Sequence, residues 1–234
     1  MANTSVADVQ LLFDALLSDD ITYDISARRY RYKDSGKFVS KNRTIEIQKE
    51  YLAANTKKFT YLGKSIKDGT ITEKELALEL KKLHTSQLVI ARGGVAEITH
   101  SDLGSVANLL RNQYYRGKDP KTGKRYGLRY LLRDAPNQSE AKLNQRLTMF
   151  AKASEITKFI VNEHIAKEQG LTVYRRRLGR THKHCSSCLL YESLGWQLVS
   201  SQTLPYPKTS CECLSNCVCE LVYDRPENVP VPVF

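Results

Sequence analysis

The chain has 234 residues, enough for one large domain or two small ones, and its 41% hydrophobic and 26% charged residues exclude a wholly disordered or fibrous protein. Thirty-six Lys and Arg against twenty-five Asp and Glu leave a net charge of +11, which points to an anionic partner such as nucleic acid or an acidic protein face. No basic segment followed by an apolar run opens the sequence, so no secretory signal is expected, and the longest apolar runs are too short for a membrane helix.

Val6, Val9, Leu12, Phe13 and Leu16 recur at helical spacing and predict an amphipathic helix around residues 5–18. A second, longer helix is expected from Ile45, Leu52, Phe59, Leu62 and Ile66, ending near Asp68-Gly69. Thr72 with Glu75 has the spacing at which hydroxyl and carboxylate satisfy each other's free backbone donors, so a third helix starts there and stops at Gly93-Gly94. Ser101-Asp102 can cap a fourth that runs to about Tyr115. A fifth follows Ser139-Glu140 with the stripe Leu143, Leu147, Phe150, Ile156 and Ile160, ending at Gly170. Thereafter Leu171 to Tyr174, Trp196 to Val199 and Glu220 to Tyr223 suit short strands, and Pro226, Pro230 and Pro232 imply an extended tail. The expected fold is α+β: a helical part over 1–170, a cysteine-rich module over 171–224 and a tail over 225–234.

All six cysteines lie between Cys185 and Cys219. Zinc takes four thiolate or imidazole ligands in a tetrahedron; a C-x-x-C turn supplies two, and a second cluster across a hairpin supplies the rest. Cys185, Cys188, Cys213 and Cys217 are the first choice of ligands for a structural Zn2+. Cys219 is an alternate for Cys217, Cys211 looks like the spare, and His184, with His182, flanks the first knuckle as a further candidate. Disulfides are the competing reading, disfavoured in a reducing compartment.

Basic residues cluster in three places: Arg28 to Lys33, the turn-rich loop that begins at Arg116, and Arg175 to Lys183. Interleaved tyrosines suit phosphate neutralisation and base stacking, while solvated faces or internal ion pairs would explain the same residues without nucleic acid. The candidate contacts are Arg116, Lys118, Lys121, Lys124, Arg125, Arg175, Arg176, Arg177, Arg180 and Lys183. No nucleophile with a base, paired carboxylates, phosphate loop or open metal site is visible, so no enzyme and no small-molecule substrate is expected. His84 and His164 fall inside helices as structural or surface residues.

In order along the chain, Arg31-Tyr32-Lys33-Asp34-Ser35-Gly36-Lys37-Phe38-Val39-Ser40, Gly69-Thr70-Ile71-Thr72, Ala91-Arg92-Gly93-Gly94, Asn112-Gln113-Tyr114-Tyr115, Arg176-Arg177-Leu178-Gly179, His184-Cys185-Ser186-Ser187-Cys188, Gly195-Trp196, Leu204-Pro205 and Cys213 to Cys219 together resemble the phage head-morphogenesis proteins, the Mu F-like minor head proteins. That family's frequent ending is a C-x-x-C followed by His-Pro-x-Cys-Arg-Cys; here Leu214-Ser215-Asn216-Cys217-Val218-Cys219 stands in its place, with Ser215 at the histidine position and Cys211-Glu212-Cys213 additional, which moves weight to Cys213 as a ligand. The resemblance implies a minor structural protein of a tailed-phage head, associated with portal and capsid proteins inside the procapsid, in the virion and in the host cytoplasm during assembly. Packaged DNA would then be met without sequence specificity. The alternative function is a cytoplasmic zinc-ribbon regulator that reads DNA through the knuckle and Arg175 to Lys183.

Overall fold

A computed structural model describes residues 21–24, 26–116, 127–180, 183–209, 211–213 and 216–230. The helix expected at 5–18 and most of the basic loop after Arg116 lie outside them. The chain divides into two compact units, Met1–Ser154 and Glu155–Phe234. The division falls before the last long helix, whereas the sequence reading put it after that helix, at residue 170. The fold is α+β and mostly helical, with a small sheet in the second unit.

The described part of the first unit opens with an antiparallel hairpin where the sequence shows a basic cluster, β1 (Ile21–Asp24) and β2 (Arg29–Tyr32). Alternation explains it: Tyr23 and Tyr30 face inward with their rings 5.0 Å apart, edge to face. The arginines between them are spent on internal contacts. Arg29 and Arg31 lie over the Phe38 ring at 4.2 and 3.7 Å, Arg31 pairs with Asp24 at 2.7 Å, and Arg28 donates to the Val95 and Ile98 carbonyls.

Among the described residues of this unit six α-helices follow: α1 (Lys41–Phe59), α2 (Leu62–Lys67), α3 (Glu73–Arg92), α4 (His100–Arg111), α5 (Leu128–Arg133) and α6 (Glu140–Ala153). Where one long helix was expected there are two, α1 and α2, because Thr60 turns its hydroxyl onto the Lys57 carbonyl and the Gly63 amide is taken by Asn144 Oδ1 of α6 at 2.6 Å. A Cβ at Gly63 would lie 2.7 Å from that same oxygen, so glycine is what lets the helices approach. Helix α3 has the expected Thr72–Glu75 capping box and ends at left-handed Gly93. The cap of α4 is Thr99, two residues before the expected Ser101, with Asp102 as its reciprocal partner. A π-helical turn, Asn112–Arg116, extends α4. Leu76, Leu80 and Leu83 of α3, Phe59, Leu128, Leu131, Leu143 and Leu147 form one buried cluster at the centre of the unit.

His84 is fully buried on α3, its Nε2 3.1 Å from Gln113 Oε1, and burial lowers its pKa to about 4. Because the unfolded chain takes up that proton near pH 6.5, the folded state loses about 3 kcal/mol as pH falls from about 6.5 to about 4. Urea unfolding at pH 7 and pH 4.5 is expected to show this loss in the native protein and a flatter profile in His84→Gln.

The second unit begins with α7 (Ile156–Glu168), the second half of the expected fifth helix. The break lies at Ser154, whose amide bonds back to Ala151 and tightens the turn although no residue there is a helix breaker. Three strands, β3 (Val173–Arg177), β4 (Gln197–Leu198) and β5 (Glu220–Asp224), form an antiparallel sheet in the order β4-β3-β5. A short helix, α8 (Ser186–Ser193), follows Cys185 and was not anticipated. Tyr174, Val199, Leu204 and Leu221 make a small core, and Tyr174 is fixed in it by the Leu204 amide, which donates to its hydroxyl at 2.8 Å.

Candidate metal centre

Two loops meet to build the site. Cys185 is the N-cap of α8, and its carbonyl accepts the Cys188 amide at 3.0 Å, so the C-x-x-C segment bends into a helical first turn that sends both sulfurs to one side. Facing it is the segment that leads into β5. Gly179, just past β3, lies so near Val218 that a Cβ would run into the Val218 carbonyl, and the Gly179 amide hydrogen-bonds Cys219. This close approach presses the Cys217–Cys219 strand entry against the C-x-x-C turn.

The sulfurs of Cys188, Cys211, Cys213 and Cys217 all lie within 4.8 Å of one another and can hold a metal ion. Neighbouring pairs are closer: Cys188 to Cys213 and to Cys217 at 3.6 Å, and Cys211 to Cys213 at 3.5 Å. A tetrahedron with metal–sulfur bonds of about 2.3 Å has sulfur–sulfur edges of roughly 3.8 Å, so the donor set fits a thiophilic ion with little movement. All six cysteines are free, not paired in disulfides. Cys188, Cys211 and Cys217 are essentially inaccessible, at 0%, 1% and 1% exposure, which leaves no open side for water among them.

Three of the four ligands chosen from sequence, Cys188, Cys213 and Cys217, belong to this group. Its fourth member is Cys211, read from spacing as the spare, while Cys185 lies against the group with its sulfur 3.4 Å from Cys213. Cys219 is buried and touches Cys188 and Cys217. His184 is half-buried beside the turn and outside the four-sulfur group, and His182 lies outside the described residues.

Hydrogen bonding prepares some of these sulfurs for the thiolate form. Burial works against ionisation of Cys217, but the Cys219 amide, the Cys211 thiol and the Lys208 amide outweigh it and bring its pKa down to about 6. At Cys185 burial is likewise outweighed, by the Cys188 and Cys213 amides, down to about 7. Burial pushes Cys188, Cys213 and Cys219 up.

Arg176 is the residue whose role the sequence misassigned. Placed among the expected DNA contacts, it is 1% exposed, because strand alternation turns it inward while Arg175 and Arg177 face out. Its Nη2 donates to the Pro205 carbonyl at 2.7 Å, and its Nη1 is 3.9 Å from Cys217 Sγ. Its guanidinium also lies over the Tyr191 ring at 5.1 Å, and among the described residues no carboxylate forms an ion pair with it. Of the other expected contacts, Arg175 lies over the Trp196 ring at 5.0 Å, Arg177 pairs with Glu220 at 2.6 Å, and Arg180 and Lys183 are exposed. Arg116 closes the π-helical turn. Lys118, Lys121, Lys124 and Arg125 lie outside the described residues.

Among the described residues no helix is long and apolar enough to cross a membrane. Comparison with protein-family models, curated proteins and solved structures finds no match.

Proposed function

We propose that this chain is a minor structural protein of a tailed-phage head, joined to portal and capsid during assembly, whose second unit is folded around structural zinc. The observation that carries the reading is convergence. Segments of the head-morphogenesis pattern that are far apart in sequence meet in one module: Arg176 reaches Pro205 and Cys217, Gly179 abuts Val218, and Cys188 meets Cys213 and Cys217. The C-terminal pieces of the pattern thus meet at a single cysteine centre, which supports the reading.

Zinc suits an all-sulfur donor set in a chain with no disulfides. With four protein thiolates around it, the ion has no place for water or substrate, so its part is to hold the fold and not to catalyse. Exposed Arg175, Arg177, Arg180 and Lys183 give this unit a basic face for sequence-blind contact with packaged DNA. That face equally supports the rival, a zinc-ribbon regulator.

Co-expression with portal and capsid proteins separates the two. The head reading expects a few copies of the chain in isolated procapsids, lost when portal is omitted. Absence from particles, together with a loss of about 1–3 kcal/mol per mismatched base pair in a defined DNA site, would favour the regulator.

A further inference from the structure

We infer that Cys185 and Cys213 are a peroxide-sensitive pair at the accessible edge of the centre: oxidation joins them in a disulfide, takes Cys213 from the ion and releases it. The inference rests on the zinc reading, with Cys188, Cys211, Cys213 and Cys217 around one ion.

Access, distance and anchoring single out this pair. Cys188, Cys211, Cys217 and Cys219 are buried, whereas Cys185 and Cys213 are only half-buried, so a small oxidant in solution meets these two sulfurs first. Cys185 Sγ lies 3.4 Å from Cys213 Sγ, closer than Cys211 at 3.5 Å or Cys188 at 3.6 Å. The next residue after Cys185 and the one before Cys213 are tied across the same gap: the Ser186 hydroxyl lies 2.8 and 2.9 Å from the two Glu212 carboxylate oxygens. That contact holds the two loops together beside the sulfurs. Cys185 also stands outside the four-sulfur group, so no metal–sulfur bond occupies it.

The chemistry runs in two steps. Cys185 Sγ attacks one oxygen of hydrogen peroxide; the O–O bond breaks, the other oxygen leaves with the thiol proton as water, and the sulfur becomes a sulfenic acid, oxidised by two electrons. Cys213 Sγ then attacks that sulfur. The S–S bond forms, the S–O and metal–sulfur bonds break, and the departing hydroxide takes a proton from solvent. Only Cys188, Cys211 and Cys217 are then left to the ion, one short of the closed tetrahedron that a structural site needs. Thiol–disulfide exchange with a dithiol reductant restores Cys213.

The test treats the full-length, zinc-loaded protein with hydrogen peroxide, reading released zinc with a colorimetric chelator and disulfides by mass-spectrometric peptide mapping. One zinc lost for each Cys185–Cys213 disulfide formed is expected, with zinc taken up again after dithiothreitol. Retained zinc, or a disulfide between any other pair, would overturn the inference while leaving the zinc reading intact, and no zinc before peroxide would overturn both. Cys185→Ser should hold its zinc before peroxide and lose the disulfide-linked release. Zinc absent from this variant, or released from it as fast as from the native chain, would contradict the inference.

Discussion

Replacing Cys188 with serine is expected to unfold the second unit while leaving the first folded. Cys188 is the member of the four-sulfur group that lies fully buried 3.6 Å from both Cys213 and Cys217, so serine there removes a central ligand. Among the described residues the second unit's buried apolar side chains, apart from the cysteines, are the Tyr174, Val199, Leu204 and Leu221 cluster with Ile156, Phe159, Val161, Ala166 and Val173, and its sheet is three short strands. Metal binding in small zinc modules contributes roughly 10 kcal/mol or more of folding free energy, as much as the whole net stability of a typical small domain. Limited proteolysis with mass-spectrometric mapping should therefore show rapid cleavage across residues 155–230 in Cys188→Ser and in chelator-treated native protein. The helical signal of the first unit should persist in both, because its cluster of leucines owes nothing to the metal. Equal protease resistance in variant and native protein would mean that the sulfurs are packing groups only.

The second large effect belongs to the first unit. Asp102, at 0% side-chain exposure, accepts Arg92 Nε at 2.6 Å and Nη2 at 2.9 Å, and also takes the amide and hydroxyl of Thr99 at 2.9 and 2.8 Å. One carboxylate thus caps α4 and ties it to the last turn of α3. Asp102→Ala strands a guanidinium in the interior and uncaps a helix in the same stroke, for an expected cost of about 3–5 kcal/mol in denaturant unfolding. The paired replacement Arg92→Met with Asp102→Leu removes both charges and should recover at least half of that loss. If Asp102→Ala alone cost under about 1 kcal/mol, the ion pair would not be the clasp described.

What could be read in the sequence and what could not divides along the range of the interaction. The Thr72–Glu75 box needs only residues three apart, and α3 runs from it to Gly93 as expected. Strands β4 and β5 fall where short β-branched and aromatic runs put them, whereas β3 begins two residues later than expected and runs on through Arg175, Arg176 and Arg177. The break between α1 and α2 depends instead on Asn144, 81 residues from the amide it caps, and no local pattern announces it. The β1–β2 hairpin was hidden in its own alternation, since Arg29-Tyr30-Arg31-Tyr32 advertises charge before period two. At the metal centre, clustering of the cysteines gave the site away. The spacing rule then chose Cys185 over Cys211, because sequence distance does not show that Cys211 folds back onto Cys213 and Cys217. Arg176 misled for the same reason as the hairpin: three consecutive arginines look like one basic patch until a strand turns the middle one inward.

The measurement that joins site to function is incorporation of Cys188→Ser into procapsids assembled beside portal and capsid proteins, with the native chain as reference. The account predicts native chain in low, portal-dependent copy number, carrying zinc, and little or no variant. Variant chain present at the native level would show that head assembly does not need the cysteine centre, and the account would fail there.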